Sequence, residues 1–413
     1  MTSGLALPVL SGSSSPAAAA SVTPAASDAA LLGVYARAPI TVVGGQGSEL
    51  IDDAGRRYLD FTSGISVNAL GYGDAGLRAA LHAAADGLVH TSNLFHTAPA
   101  AALADWIVSH SFADRVFFCN SGVEANEGAF KFARRWARGI GGPAKHEIIG
   151  LRGSFHGRLF GSLGATDRPA YRVPFRPLAG GVFTVERDLD ALAVHLRGQT
   201  VAAVIVEPVQ GEGGVRVLDP GFLRELRALT RECQVALIFD EVQCGLGRTG
   251  WLWAHERAGV TPDMMTLAKP LAGGLPMGAI AMTEDIARAI QPGDHGCTFG
   301  GGFFVASVAC HVVERLGDPE LLGQVRANGE WFAEQLRALA DRHATVREVR
   351  GTGLIWGLDV SEPASAVIAR ARARGLLLLS AGDHTLRILP PLTITRDDLG
   401  RGLERLDSAL ASS

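Results

Sequence analysis

Val235-Ala236-Leu237-Ile238-Phe239-Asp240-Glu241 is the stretch on which the fold turns: five apolar residues without a break, then an acid. The run is too short for a buried helix and apolar at every position, so it predicts a strand buried on both faces of a parallel sheet. The same pattern recurs elsewhere. Val116 to Cys119 ends on Asn120, Val201 to Val206 on Glu207, and Met264 to Ala268 on Lys269. In open α/β sheets ligands bind beyond the carboxyl ends of the strands, so Asn120, Glu207, Asp240 and Lys269 are expected to converge on one pocket. A carboxylate and an amine there suggest covalent carbonyl chemistry.

Outward from this centre, helices and short apolar strands alternate from about residue 76 to about 295, which predicts a helix-covered, mostly parallel sheet. Before it, residues 40 to 61 hold short alternating strands, with Asp52-Asp53-Ala54-Gly55 as turn residues. After it, beyond Gly300-Gly301-Gly302, a helical stretch from about 304 to 342 leads into Val346 to Asp359 and Leu376 to Ile388, separated by an Ala/Arg-rich helix. The expected class is α/β, with a large domain and a smaller α+β domain built from both chain ends. The expected boundaries are 1–30 for a disordered Ala/Ser/Pro tail, 31–75 for the N-terminal part of the small domain, 76–303 for the large domain, and 304–413 for the C-terminal part of the small domain. The tail lacks the basic and apolar regions of a signal peptide.

With 413 residues and 47% hydrophobic content, the chain can bury a large core. Its net charge of -4, with signs interspersed, leaves no basic stripe for nucleic acid and no reason to expect a membrane surface as partner. Charges or glycines interrupt every apolar stretch before a membrane span is reached. Small molecules are the expected partners. Cys119, Cys233, Cys244, Cys297 and Cys310 are odd in number and form no C-x-x-C, which argues against a disulfide framework or a zinc site and for a cytosolic setting.

The chemistry follows from the strand ends. Lys269, flanked by Ala268 and Pro270, is expected to be partly desolvated, which disfavours the ammonium and yields an amine able to attack carbonyls. Asp240 has no basic neighbour in sequence and calls for a cation; the pyridinium nitrogen of pyridoxal phosphate is one that fits, while a magnesium ion or a helix-cap role stays open. No G-x-x-x-x-G-K-[ST] accompanies it, which counts against a nucleotidase. Ser121 and Glu124 have capping-box spacing, and the amides of Gly122 and Val123 at the same helix start are suited to a phosphate.

Several segments together resemble the class III pyridoxal-phosphate aminotransferases of fold type I, most closely the acetylornithine aminotransferases. They are Ser121-Gly122-Val123-Glu124-Ala125-Asn126-Glu127, Ser154-Phe155-His156-Gly157-Arg158, Glu207-Pro208-Val209-Gln210-Gly211-Glu212-Gly213-Gly214, Asp240-Glu241-Val242-Gln243, Leu267-Ala268-Lys269 and Thr298-Phe299-Gly300-Gly301. The resemblance spans roughly residues 33 to 405. It implies pyridoxal 5'-phosphate as cofactor, with Lys269 bonding it and later shuttling a proton, and Asp240 pairing with its pyridinium. It implies Ser121, Gly122 and Val123 at the phosphate, Gln243 on the phenolate oxygen, and Phe155 stacked on the ring. Thr298 is implied to reach the phosphate of a neighbouring subunit, hence a homodimer with shared sites.

Arg158 and Arg387 match the family's carboxylate-binding positions, with Glu207 expected to close on Arg387 and Cys297 to line the substrate site. With Arg387 so covered, an ω-amine can enter while its distant carboxylate rests on Arg158; with Arg387 released, glutamate is admitted. Val123 and Cys297 stand where hydroxyl residues are common in the family, Leu159 follows the arginine in place of threonine, Gly302-Phe303 replaces Asn-Pro, and Gly71-Tyr72-Gly73-Asp74 replaces a histidine-containing turn. None of these removes a catalytic group. The implied activity is transfer of the δ-amino group of N2-acetylornithine to 2-oxoglutarate, giving N-acetylglutamate 5-semialdehyde and glutamate in arginine biosynthesis. Ornithine or a carrier-linked lysine as donor, or an aminomutase of the same fold, are the alternatives.

Overall fold

The computed structural model describes residues 30–411. The expected disordered tail, except for its last residue, lies outside the described residues. Three antiparallel strands open the described chain: β1 (Val42–Gln46), β2 (Glu49–Asp52) and β3 (Arg57–Asp60). Two helices, α1 (Ala75–Ala85) and α2 (Ala98–Ser109), lead into the central sheet.

That sheet has seven strands: β4 (Arg115–Cys119), β5 (Glu147–Leu151), β6 (Val182–Val185), β7 (Val201–Val206), then, past the short hairpin β8 (Val209–Gln210) and β9 (Arg216–Val217), β10 (Ala236–Asp240), β11 (Met264–Leu267) and β12 (Gly278–Met282). Their spatial order is β4-β12-β11-β10-β7-β5-β6. All four apolar runs singled out in the sequence are strands of this sheet. β7, β10 and β11 are buried at every residue, which is why they read as unbroken apolar runs rather than alternating ones. β12 runs antiparallel to both β11 and β4, so β4 points the same way as the parallel strands.

Register then places the strand ends level with one another. Asp240 sits opposite Thr266, just before Lys269; Phe239 sits opposite Val206, just before Glu207; and Cys119 pairs with Gly278. Asn120, Glu207, Asp240 and Lys269 therefore leave the sheet along one edge. Helix α3 (Gly122–Gly141) packs on that sheet through Ala125, Ala129, Phe132 and Ala133, all buried, while its charged residues Lys131 and Arg138 face outward. Helices α4 (Pro169–Arg172), α5 (Leu189–Arg197) and α6 (Pro220–Glu232) follow, the last two covering the other face.

The helical stretch expected from about 304 to 342 is two helices, α7 (Phe303–Leu316) and α8 (Pro319–Arg342). Gly317 caps the first, Asp318 caps the second by accepting from the Glu320 amide at 2.8 Å, and Pro319 occupies a first-turn position where no amide is needed. The stretch from Val346 is an antiparallel hairpin, β13 (Val346–Thr352) and β14 (Ile355–Val360). Its turn needs Gly353: φ is +52°, and a Cβ there would lie 2.5 Å from the Thr249 backbone. Helix α9 (Ala364–Ala373), three short strands β15 (Leu376–Leu377), β16 (Leu379–Ser380) and β17 (Thr385–Ile388), and α10 (Arg396–Leu410) complete the described chain. β15 pairs with β3, with Leu376 opposite Leu59, so the two ends of the chain share one sheet. Among the described residues no helix is long and apolar enough to cross a membrane.

Candidate active site

A cavity of about 590 Å³ opens at the edge where the four strands end. Asn120, Ser121, Gly122 and Val123 line it, together with Asp240, Gln243, Lys269, Glu207 and Phe155.

Lys269 begins a short 3-10 turn, with φ +46°. Burial pushes its ammonium below the ordinary lysine range, and the Asp240 carboxylate only partly opposes that. Asp240 itself is 4% exposed. Its Oδ2 accepts from Asn126 Nδ2 and from His156 Nδ1, each at 2.8 Å, and its Oδ1 accepts from the Val242 amide at 3.1 Å. Asn126 is oriented in turn: its Oδ1 accepts from Thr266 at 2.7 Å, and its Nδ2 also reaches the His156 carbonyl at 2.8 Å. The expectation that Asp240 lacks a basic neighbour holds along the chain but not in space. Asn126 and His156 lie inside motifs read for their neighbours, and only the fold shows that they hold Asp240.

At the start of α3 the capping box is half formed. Ser121 Oγ accepts from the Glu124 amide at 3.3 Å, while Glu124 Oε2 takes the Asn120 amide at 2.6 Å instead of that of Ser121. The amides of Gly122 and Val123 have no acceptor among the described residues. A Cβ at Gly122 would lie 2.6 Å from Val242 Cγ1, so glycine lets the helix end approach the cavity wall. Free amides and the positive helix end together suit an anionic group.

The expected closure of Glu207 on Arg387 is not what the structure has. Arg387, on β17 and 3% exposed, pairs through Nη1 with Glu212 Oε1 at 2.6 Å and donates to Gln243 Oε1 at 3.3 Å. Glu207 sits at the end of β7, where its Oε1 accepts from the Phe155 amide at 2.9 Å. Burial, then the nearby Asp240 carboxylate, raise its pKa well above the ordinary glutamate range. Glu212 follows β8 in the hairpin turn and is free to reach Arg387; Glu207 is anchored in the sheet. Because arginine only donates, Gln243 turns its oxygen to Arg387, so its amide NH2 remains available as a donor.

Phe155 is half-buried in the cavity wall, and Arg158 lies exposed at its mouth. Cys297 and Thr298 do not line this cavity. Cys297 Sγ accepts from Asn120 Nδ2 at 3.2 Å, and Thr298 lies in a separate small recess with His90 and Thr91. The Cys297 carbonyl accepts from Asn93 Nδ2 at 2.8 Å, which joins this loop to the segment around residue 93.

The lining fits pyridoxal phosphate: a buried acid, a lysine of lowered pKa, and free amides at a helix start where a Cβ at Gly122 would meet Val242. Residues 34–410 match the family described as aminotransferase class-III. The chain belongs to the class-III aminotransferases. It is thus an α/β, pyridoxal-phosphate-dependent transaminase. Among relatives of this family, the chain is 46% identical over 381 residues to the mitochondrial acetylornithine aminotransferase of Alnus glutinosa, covering 91% of this chain and 84% of that one. The N-acetylornithine aminotransferase of Stenotrophomonas maltophilia superposes with a TM-score of 0.81 at 37% identity, covering 92% and 97% of the two chains. The ornithine aminotransferase of Toxoplasma gondii superposes with a TM-score of 0.90 at 30% identity, covering 94% and 93%.

Proposed function

We propose that this aminotransferase moves the δ-amino group of N2-acetylornithine to 2-oxoglutarate, the reading that its similarity to acetylornithine aminotransferases best supports. The observation that carries the chemistry is the placement of Lys269 and Asp240 on one cavity beside the α3 amides. Residues 76–303 then form the cofactor-binding unit, with 31–75 and 304–413 as its smaller companion. Bound pyridoxal phosphate supplies an electron sink that stabilises negative charge at the carbon bearing the substrate nitrogen.

The chain's own residues do the rest. Lys269 would hold the cofactor and, once displaced, its Nζ would take a proton from the amine-bearing carbon of the donor and, in the second half-reaction, deliver one to the keto carbon of 2-oxoglutarate. Asp240, fixed by Asn126 and His156, would pair with the pyridinium nitrogen and keep it protonated. The Gly122 and Val123 amides and Ser121 would hold the phosphate, and Phe155 and Gln243 would hold the ring and its phenolate oxygen. Arg158 grips the carboxylate remote from the reacting amine. Glu212, rather than Glu207, covers Arg387 while the ω-amine reacts, and uncovers it so that glutamate can place its α-carboxylate there.

A homodimer is part of this reading. Thr298 is off its own cavity, and next to it Leu94, Phe95 and Phe299 are 87%, 70% and 64% exposed, an apolar surface suited to a second copy. The five free cysteines fit a reducing, cytosolic compartment. Ornithine is the rival donor, favoured by the likeness to the Toxoplasma gondii enzyme. Single-turnover absorbance of the holoenzyme with each amine separates the two: N2-acetylornithine is expected to convert the cofactor with kcat/KM at least about tenfold above ornithine, a gap of about 1.4 kcal/mol. The reverse order overturns the donor assignment.

A further inference from the structure

Arg158 is exposed at the cavity mouth, and among the described residues it has neither an ion pair nor a hydrogen bond. It is nevertheless placed. Its Cζ lies 4.1 Å from the centroid of the Tyr171 ring. We propose that Tyr171 is a positioning residue for substrate carboxylates: it holds the Arg158 guanidinium by its flat face and so leaves the hydrogen-bonding edge open. The inference rests on the reading that Arg158 grips carboxylates.

The geometry explains why a ring suits this task. A guanidinium donates in its plane, so a carboxylate partner within the protein would occupy the same fork that a substrate needs. An aromatic ring attracts the cation through the perpendicular face and competes for none of those donors. It also restricts a long side chain that would otherwise spend much rotamer freedom when substrate binds.

Tyr171 is itself well anchored. It lies on α4, where its amide donates to the Arg168 carbonyl at 2.9 Å. The preceding Asp167 is tied twice to the strand-end segment that carries Phe155 and Arg158: its carboxylate accepts from the Gly153 amide at 2.8 Å, and its amide donates to the Ser154 carbonyl at 2.9 Å. The Tyr171 ring also meets Phe155 edge-on, with centroids 6.4 Å apart and planes at 83°. One ring therefore references Arg158 to Phe155 in the cavity wall. Arg168 extends the link by donating to the Glu212 carbonyl, next to the cover of Arg387.

The test uses the holoenzyme with Tyr171→Leu, Tyr171→Phe, Arg158→Ala and the double variant Arg158→Ala/Tyr171→Leu. Two amine donors are compared, N2-acetylornithine and N-acetyl-1,4-diaminobutane, which keeps the amine and acetamide but lacks the carboxylate. Glutarate affinity is read separately by difference absorbance of the bound cofactor.

Tyr171→Leu is expected to raise KM for N2-acetylornithine and Kd for glutarate about 3- to 30-fold, the range for a cation–π contact, with kcat within about twofold. The carboxylate-free donor should be unaffected. Tyr171→Phe should behave as the parent, and adding Tyr171→Leu to Arg158→Ala should cost nothing further. If Arg158→Ala weakens carboxylates selectively while Tyr171→Leu does not, the inference about Tyr171 is wrong. Equal losses for both donors in Tyr171→Leu would assign the tyrosine a general structural role and overturn it too. If Arg158→Ala fails to discriminate between the donors, the carboxylate role of Arg158 falls, and this inference with it.

Discussion

Glu207 and Glu212 show what one residue's surroundings decide. Both are glutamates within a single motif, and nothing in their spacing says which one meets Arg387. The answer depends on the β8–β9 hairpin, which brings Glu212 to 2.6 Å from the guanidinium while Glu207 stays at a strand end beneath the Phe155 amide. Glu207 is then a carboxyl held in a place that disfavours its charge: burial and the Asp240 carboxylate raise its folded pKa above the unfolded value near 4.5. For a raised carboxyl the sign is definite. Its favourable contribution is complete below the unfolded pKa and fades as pH rises through the folded one, because the unfolded chain then releases a proton that the folded chain retains. Glu207→Gln keeps the neutral form at every pH. In the cofactor-free protein, thermal melts should show the variant gaining on the parent as pH rises from about 5 to about 8. A constant difference across that range would mean that Glu207 is already ionised in the fold.

Elements were readable where a local pattern had one structural meaning. β7, β10 and β11 were legible because strands buried on both faces are apolar at every position, whichever neighbours they pair with. The break between α7 and α8 is also local, since Gly317, Asp318 and Pro319 form a stop and start signal that a broad helical reading passed over. β12 is different: Gly278 to Met282 runs antiparallel between two strands that agree in direction, and direction is set by the connections, not by its residues. The start of α3 combines both kinds of information. Its cap is visible in sequence, but the closeness of Gly122 to Val242 is not. Gly122→Ala should push that helix end off the wall, because a new Cβ 2.6 Å from Val242 Cγ1 must displace one or the other. The expected results are a stability loss of about 1 to 3 kcal/mol, typical of overpacking, and about tenfold weaker cofactor binding on titration of the apoenzyme. Ser121→Ala, which removes the cap without adding bulk, should cost about 1 kcal/mol. Unchanged cofactor affinity in Gly122→Ala would argue against the amides as the phosphate site.

For the whole molecule, one described chain holds an acid, a lysine and an amide cradle around one cavity, yet leaves Thr298 in a different recess. Ring contact between His90 and Phe299, with centroids 5.4 Å apart, ties that recess to an exposed apolar segment that includes Val89, Leu94 and Phe95. A chain reading can name Thr298 through resemblance, but which copy it serves is a property of an assembly. Complementation between defective subunits decides it. Thr298→Ala should lower cofactor affinity about 10- to 100-fold by removing one hydrogen bond to a charged group, and Lys269→Ala should abolish turnover. In the proposed homodimer, each single variant is then impaired at limiting cofactor. In a purified mixed dimer of one Lys269→Ala chain and one Thr298→Ala chain, sharing across the interface combines the intact Lys269 of one chain with the intact Thr298 of the other, creating one wild-type site and one doubly altered site. About half of the wild-type activity per dimer should return at limiting cofactor, and it should disappear when Phe299→Asp and Leu94→Asp disrupt the proposed apolar contact. If Thr298 instead served its own subunit, every site in the mixed dimer would carry one defect, and no activity would return beyond the average of the two parents.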